Sequence, residues 1–177
     1  MTLKDQLLDG EAIFRQIDDL LSKRQVSLAN EIIQNTNPPS SWIIELQSIA
    51  NPSEKFKSLK LELMESVAKR IYGHYQIKTI NQPVISQDKQ GSCCATVVVE
   101  IEIMSFEGDM RIIPGVATEV VGNMRLLPLA TPKASSMAVK NALKQLGRLF
   151  GKHLNVDIDD VEVPIAESQP TVEDQIN

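Results

Sequence analysis

Between Cys93 and Phe106 the chain reads CCATVVVEIEIMSF, and no other stretch constrains the fold as tightly. Val97, Val99, Ile101 and Ile103 fall on one parity, with Val98, Glu100 and Glu102 on the other. A period of two in β-branched residues specifies a strand with one face toward a core. Its flanks supply partners. HYQIKTINQPVIS, from His74, partly alternates and ends at Pro83 and a polar run. QDKQGS is turn chemistry, EGD is a tight turn, and MRIIPGVATEVV reads as a further strand in which Pro114 and Gly115 mark a bulge or bend. Strands joined by short turns pair antiparallel, so the expectation is a three-stranded meander whose open edges invite other copies of the chain.

Helical spacing brackets these strands. Residues 3 to 33 carry Leu7, Leu8, Ile13, Phe14, Ile17, Leu20 and Leu21 on one face, with Gly10 as a point of division. NTNPPSS breaks this helix, because proline cannot donate and Asn-Pro favours a turn. SWIIELQSIA reads as a short second helix. NPSEKF restarts a helix, with Asn51 as cap, Pro52 in the first turn and Glu54 at the positive end of the dipole. Phe56, Leu59, Leu63, Met64, Val67 and Ile71 form its stripe, and Gly73 ends it. After the strands, NMRLLPLATPKAS reads as a connection, and a helix runs from about 132 to 153. The predicted class is α+β: N-terminal helices and a β-β-β meander packed on one long helix, in an oligomer-forming unit. The expected organisation is a helical extension at 1–50, a core at 51–154 and an acidic, disordered tail at 155–177.

Charge is distributed unevenly. The formal net charge is -5, yet no Lys or Arg follows His153, and seven acids do. The remainder of the chain therefore carries a net of +2, which suits an anionic partner. No long uncharged apolar run predicts a membrane span, and the N-terminus lacks a signal-peptide core, so the expectation is a soluble, cytoplasmic protein. Cys93 and Cys94 are adjacent; a strand points them to opposite faces, which reads as two reduced, structural thiols.

The last helix has a base at every fourth position: Lys140, Lys144, Arg148 and Lys152, with Lys133 seven residues earlier. On a continuous helix the four form one stripe about 18 Å long, at about 1.5 Å per residue. None has an acid at i+3 or i+4, whereas a solvated face normally mixes signs. The stripe is either such a face or a seat for an anion. If the anion is a nucleic acid, an aromatic content of 4% leaves little for base stacking, so the grip falls on phosphates and the bases stay free. Lys78, Lys89 and Arg111 are secondary DNA-binding candidates. Catalytic motifs are absent: no GxxxxGK[ST] loop, no Cys/His zinc spacing, no GxSxG elbow. Glu100 and Glu102 share a strand face and could serve a metal or act as a general base; a solvated face is the simpler reading. His153 reads as a partner of the helix dipole.

The residues VKNALKQLGRLFGKHL resemble the helix of single-strand annealing proteins of the Rad-fifty-two-like superfamily, whose pattern is roughly A-V-x-x-A/G-L-K-[KR]-x-x-R-x-F-G. Ala138 and Val139 match its opening, Ala142, Leu143 and Lys144 its middle, and Arg148, Phe150 and Gly151 its close; Lys133 and Ala134 sit where the family often has Lys-Ala. The resemblance extends over the strands, about residues 73 to 154. It implies a non-enzymatic, ATP-independent and cofactor-free protein that forms rings or filaments and anneals complementary single strands of DNA in recombination and repair. It implies DNA held in a basic groove, with Lys144 and Arg148, and then Lys133, on the phosphates. Phe150 would wedge on the sheet, and Gly151 would allow close approach. Gln145 stands where many members have a second base, which shifts weight to Lys140 and Lys152. Lys89, at the predicted hairpin turn, falls where the family groove has one wall. The expected partners are single-stranded DNA, further copies of the chain, and a single-strand-binding protein or recombinase; the acidic tail either contacts such a partner, competes with DNA or aids solubility. Two other readings stay open: an oligomeric protein-interaction scaffold without DNA binding, and a small enzyme using Glu100 or Glu102.

Overall fold

The computed structural model describes residues 2–47, 53, 55–79, 82–87 and 91–155. It is an α+β fold with five helices and two antiparallel sheets. In chain order these are α1 (Leu3–Asp9), α2 (Glu11–Ser22), α3 (Val26–Asn35), β1 (Ile43–Gln47), β2 (Lys55–Leu59), α4 (Leu61–Tyr72), β3 (Tyr75–Thr79), β4 (Val84–Gln87), β5 (Cys93–Met104), β6 (Met110–Val121) and α5 (Leu127–Lys144). Short 3-10 turns precede β1 and α5, and another follows α5 at Arg148–Phe150.

The alternating stretch is β5, at the centre of the larger sheet. Cys93, Ala95, Val97, Val99, Ile101 and Ile103 are all buried on one face. β6 pairs along its full length, from Cys93 opposite Val121 to Met104 opposite Met110. β3 and β4 share the other edge of β5, at Val99–Ile103 and Cys93–Thr96 respectively. The register between β5 and β6 is unbroken, so the bulge expected at Pro114–Gly115 is absent. Proline is tolerated there because β6 is an edge strand, where a missing N–H breaks no ladder bond. α5 lies against the buried face of β5 and β6. It closes part of the β6 edge: Asn141 Nδ2 donates to the Val116 carbonyl at 2.8 Å and Gln145 Nε2 to the Pro114 carbonyl at 2.5 Å.

The N-terminal helices join the same hydrophobic core, through Phe14, Ile17, Ala29 and Ile33. Thr2 and Asp5 cap α1 reciprocally. Gly10 divides α1 from α2 as expected, and a second break at Arg24, with φ 57°, separates α3. Trp42 is fully buried against Phe14, and its Nε1 donates to the Gln6 carbonyl at 2.5 Å.

The helix expected over 41–50 is not there at its described residues, 41–47. Trp42 ends a 3-10 turn, and Ile43–Gln47 is a strand paired with Lys55–Leu59. The β-branched pair Ile43 and Ile44 suits this, and Leu46 opposite Phe56 forms a cross-strand apolar pair. The helix predicted to restart at NPSEKF starts instead at Leu61, so Phe56 and Leu59 are strand residues; Asn51, Pro52 and Glu54 lie outside the described residues. The rest of its stripe, Leu63, Met64, Val67 and Ile71, is buried, and Gly73 (φ 68°) ends the helix.

α5 also departs from expectation at both ends. It begins at Leu127, because Pro128 sits in the first turn, where a helix N–H has no partner anyway. It stops at Lys144 instead of running to 153. Gly147 has φ 142°, and a Cβ there would lie 2.5 Å from the Ile33 carbonyl oxygen and 2.7 Å from Gln34 Cα. The end of α3 therefore occupies the path a continuing helix would need, and Gln34 Nε2 donates to the freed Leu146 carbonyl at 2.7 Å. Leu149 and Phe150 then turn into the core. His153 (φ 67°) lies in a turn beyond the helix, so it is not the dipole partner predicted for it. The tail predicted to be disordered, from residue 156 on, lies outside the described residues.

Candidate nucleic-acid interface

The early end of α5 breaks the basic line. Lys133, Lys140 and Lys144 are on the helix, Arg148 opens the following 3-10 turn, and Lys152 is in the turn beyond it. Lys133 is engaged by the Glu119 carboxylate of β6, a partner fourteen residues away that i+3 and i+4 spacing could not reveal. Lys140 is half-buried, and its Nζ lies 3.4 Å from Ser58 Oγ on β2. Burial, and then the neighbouring charge of Lys144, push the Lys140 pKa down. Two cations are thus close enough to repel, and among the described residues neither has a carboxylate partner. Arg148 likewise meets an amide: its Nε donates to Asn37 Oδ1 at 3.1 Å. Lys152 is exposed.

The secondary candidates lie elsewhere. Lys78 on β3 reaches across the outer sheet face to Glu102 at 2.5 Å. Arg111 is near the turn between β5 and β6, close enough to oppose the rise of the Tyr72 phenol, which burial pushes up to about 12. Lys89 lies outside the described residues. The structure therefore groups Lys140 and Lys144, followed along the chain by Arg148 and Lys152, and separates Lys78 and Arg111 from them.

Sequence reasoning missed the basic strand beside this group. Lys55 and Lys57 alternate with Phe56 on β2; Ser58 of the same strand touches Lys140 from the opposite parity, so the two lysines face the other side of the hairpin. The alternation in KFKSL was the available signal. Of the seven aromatic rings, Phe14, Trp42 and Phe150 are buried and Tyr72, Tyr75 and Phe106 are partly covered; only Phe56 is exposed.

Glu100 and Glu102 lie on the outer face of β5, with Glu102 held by Lys78. Among the described residues no group of three His, Cys, Asp or Glu side chains could hold a metal ion. An open cleft of about 170 Å³ between α1, α2 and α4 is lined by Lys4, Leu7, Leu8, Glu11, Phe14 and Arg70. Arg70 is bound there to Asp18 at 2.6 Å, and the lining contains no nucleophile with an adjacent base. Cys93 and Cys94 are free thiols, the first buried.

On the outer face of the sheet, Met104, Met110, Ile112, Val116 and Val120 are exposed. Register places them beside Val98, Glu100 and Glu102. Among the described residues, no helix is long and apolar enough to cross a membrane. Compared with protein-family models and with curated proteins, the chain matches none of them.

Proposed function

We propose that the chain binds single-stranded DNA through phosphate contacts and anneals complementary strands without ATP, as a homo-oligomer acting in recombination or repair. The observation that carries this reading is the Lys140–Lys144 pair, two mutually repelling cations with no described carboxylate beside them. Both are partly exposed, and an anion beside them would relieve a repulsion that no described ion pair offsets. Arg148 and Lys152 continue the charge along the chain. With one exposed ring, a platform for stacking several bases is missing, so the bases of a bound strand stay available for pairing. The exposed apolar outer face supports self-association, since such patches mark interaction sites. Many subunits on one strand multiply a weak grip per subunit.

The same outer face would serve an oligomeric interaction scaffold that ignores DNA. A salt titration separates the two readings. Four phosphate contacts on a single strand give a log–log slope of about -3 per protomer, at about 0.7 per contact. A slope of that size, reduced by about 1.4 on removing two of the four bases, supports DNA binding. Absence of binding to an oligonucleotide at low salt supports the scaffold.

A further inference from the structure

Phe56 is the one exposed aromatic ring, and its place on the β1–β2 hairpin joins it to the basic pair. Side chains two apart on a strand share a face, so Phe56 stands on the side of β2 that carries Ser58. On β1 the facing residues are Leu46, opposite Phe56, and Ile44, opposite Ser58. The two rungs differ in cover. Ser58 is 8% exposed, whereas Phe56 and Leu46 are 40% and 37% exposed. Lys140 comes to the covered rung, where its Nζ lies 3.4 Å from Ser58 Oγ. An ammonium carries three N–H donors, and Ser58 Oγ is the one acceptor that Lys140 meets among the described residues. Lys144 adds its charge alongside. A fixed cation pair thus ends where an apolar shelf of Leu46 and Phe56 begins.

The spacing of shelf and cation selects the occupant. Ser58 and Phe56 are two residues apart, about 7 Å along the strand at about 3.4 Å per residue. A nucleotide has the matching build: a flat, apolar-faced base and an anionic phosphate, held apart by one sugar. We propose that Phe56 stacks one base of a bound single strand while the adjoining phosphate sits on Lys140 and Lys144. This rests on the nucleic-acid reading above and adds to it a contact made by a base. Stacking engages the face of a base and leaves its pairing edge outward, and every base has such a face, so the contact carries no sequence preference. One ring per protomer takes one base per protomer, which leaves the other bases of the strand untouched. Lys55 and Lys57 take no part, because they lie on the opposite side of the hairpin.

Fluorescence anisotropy of two labelled strands tests the stack: oligothymidylate, and a strand of equal length made of abasic nucleotides. Each is titrated over a range of salt with the full chain, Phe56→Ala and Phe56→Tyr, and the oligomer size of each protein is measured without DNA. Stacking predicts that the wild type and Phe56→Tyr bind oligothymidylate alike and more tightly than the abasic strand. Phe56→Ala binds oligothymidylate roughly five- to hundredfold more weakly, with an unchanged salt slope, because the slope counts phosphates. All three proteins bind the abasic strand alike. A wild type that binds both strands equally, or a Phe56→Ala protein that binds oligothymidylate as tightly as the wild type, overturns the proposal and leaves the phosphate reading standing. A changed oligomer size in Phe56→Ala, with equal losses on both strands, makes the ring a contact between copies of the chain and overturns it too. A wild type that binds neither strand at low salt removes the DNA reading itself, and the stack with it.

Discussion

Gly115 is where α5 comes closest to the sheet, and replacing it measures how firmly the helix is seated. A Cβ at Gly115 would sit 2.8 Å from both Ala142 Cβ and the Ala142 backbone nitrogen, and closer still to the Ala138 carbonyl oxygen. Carbon atoms at rest are about 3.5–4.0 Å apart, so the overlap is near 1 Å, and two of the three atoms belong to helix backbone that no rotamer change can move. Overpacking of this kind costs about 1–3 kcal/mol, and here the upper end applies. The helix must lift, which stretches the Asn141–Val116 and Gln145–Pro114 bonds, each worth about 1 kcal/mol. Reduced freedom of the unfolded chain returns about 0.4–1 kcal/mol. A net loss of about 4 kcal/mol lowers Tm by about 8–16 °C for a chain of this size. Thermal unfolding of Gly115→Ala, followed by circular dichroism at fixed protein concentration, reads this directly. Gly122→Ala is the control, because nothing lies within 4 Å of its added carbon. A Gly115→Ala protein that melts with the wild type would refute the close packing of α5 on β6.

Other perturbations follow from the same geometry. Lys140 is held below its usual range by burial and then by Lys144, so the unfolded chain binds that proton more tightly than the native one. Stability therefore rises with pH as it climbs from the lowered native value toward the ordinary lysine value of about 10.4; Lys140→Met flattens that rise in urea midpoints and does not lower Tm, while weakening any oligonucleotide binding. Lys78→Ala leaves the Glu102 carboxylate, whose side chain is only 14% exposed, without its cation, so it lowers the unfolding free energy by about 1–3 kcal/mol while its DNA affinity is nearly unchanged. Phe150→Ala empties a position that is 1% exposed and costs about 3–5 kcal/mol by denaturant titration.

What could be read in the sequence depended on how long each pattern ran. β5 and β6, twelve residues each, have buried positions at a period of two, and the buried stripe of α4 was legible from Leu63 onward. β1 and β2 span five residues each, too few to separate a period of two from 3.6, and the apparent caps Asn51 and Pro52 suggested a helix across them. The basic line misled for a different reason. A spacing of four is a helical signal only while the helix lasts, and the close approach of Ile33 and Gln34 to Gly147 is a tertiary event that no local window contains. The same holds for Glu119, which neutralises Lys133 from another element. Lys144 and Arg148 keep a site-like character because their surroundings, the neighbouring Lys140 and the Asn37 amide, contribute no negative charge.

The most direct measurement is annealing of two complementary, dye-labelled oligonucleotides without ATP, at low and at moderate salt, by the wild type and by Lys144→Glu/Arg148→Glu. The account predicts rapid, salt-sensitive annealing by the wild type, lost in the double variant while its oligomer size and melting temperature are retained. Wild-type protein that neither anneals nor binds single strands at low salt, or a double variant that anneals as well as the wild type, would contradict it.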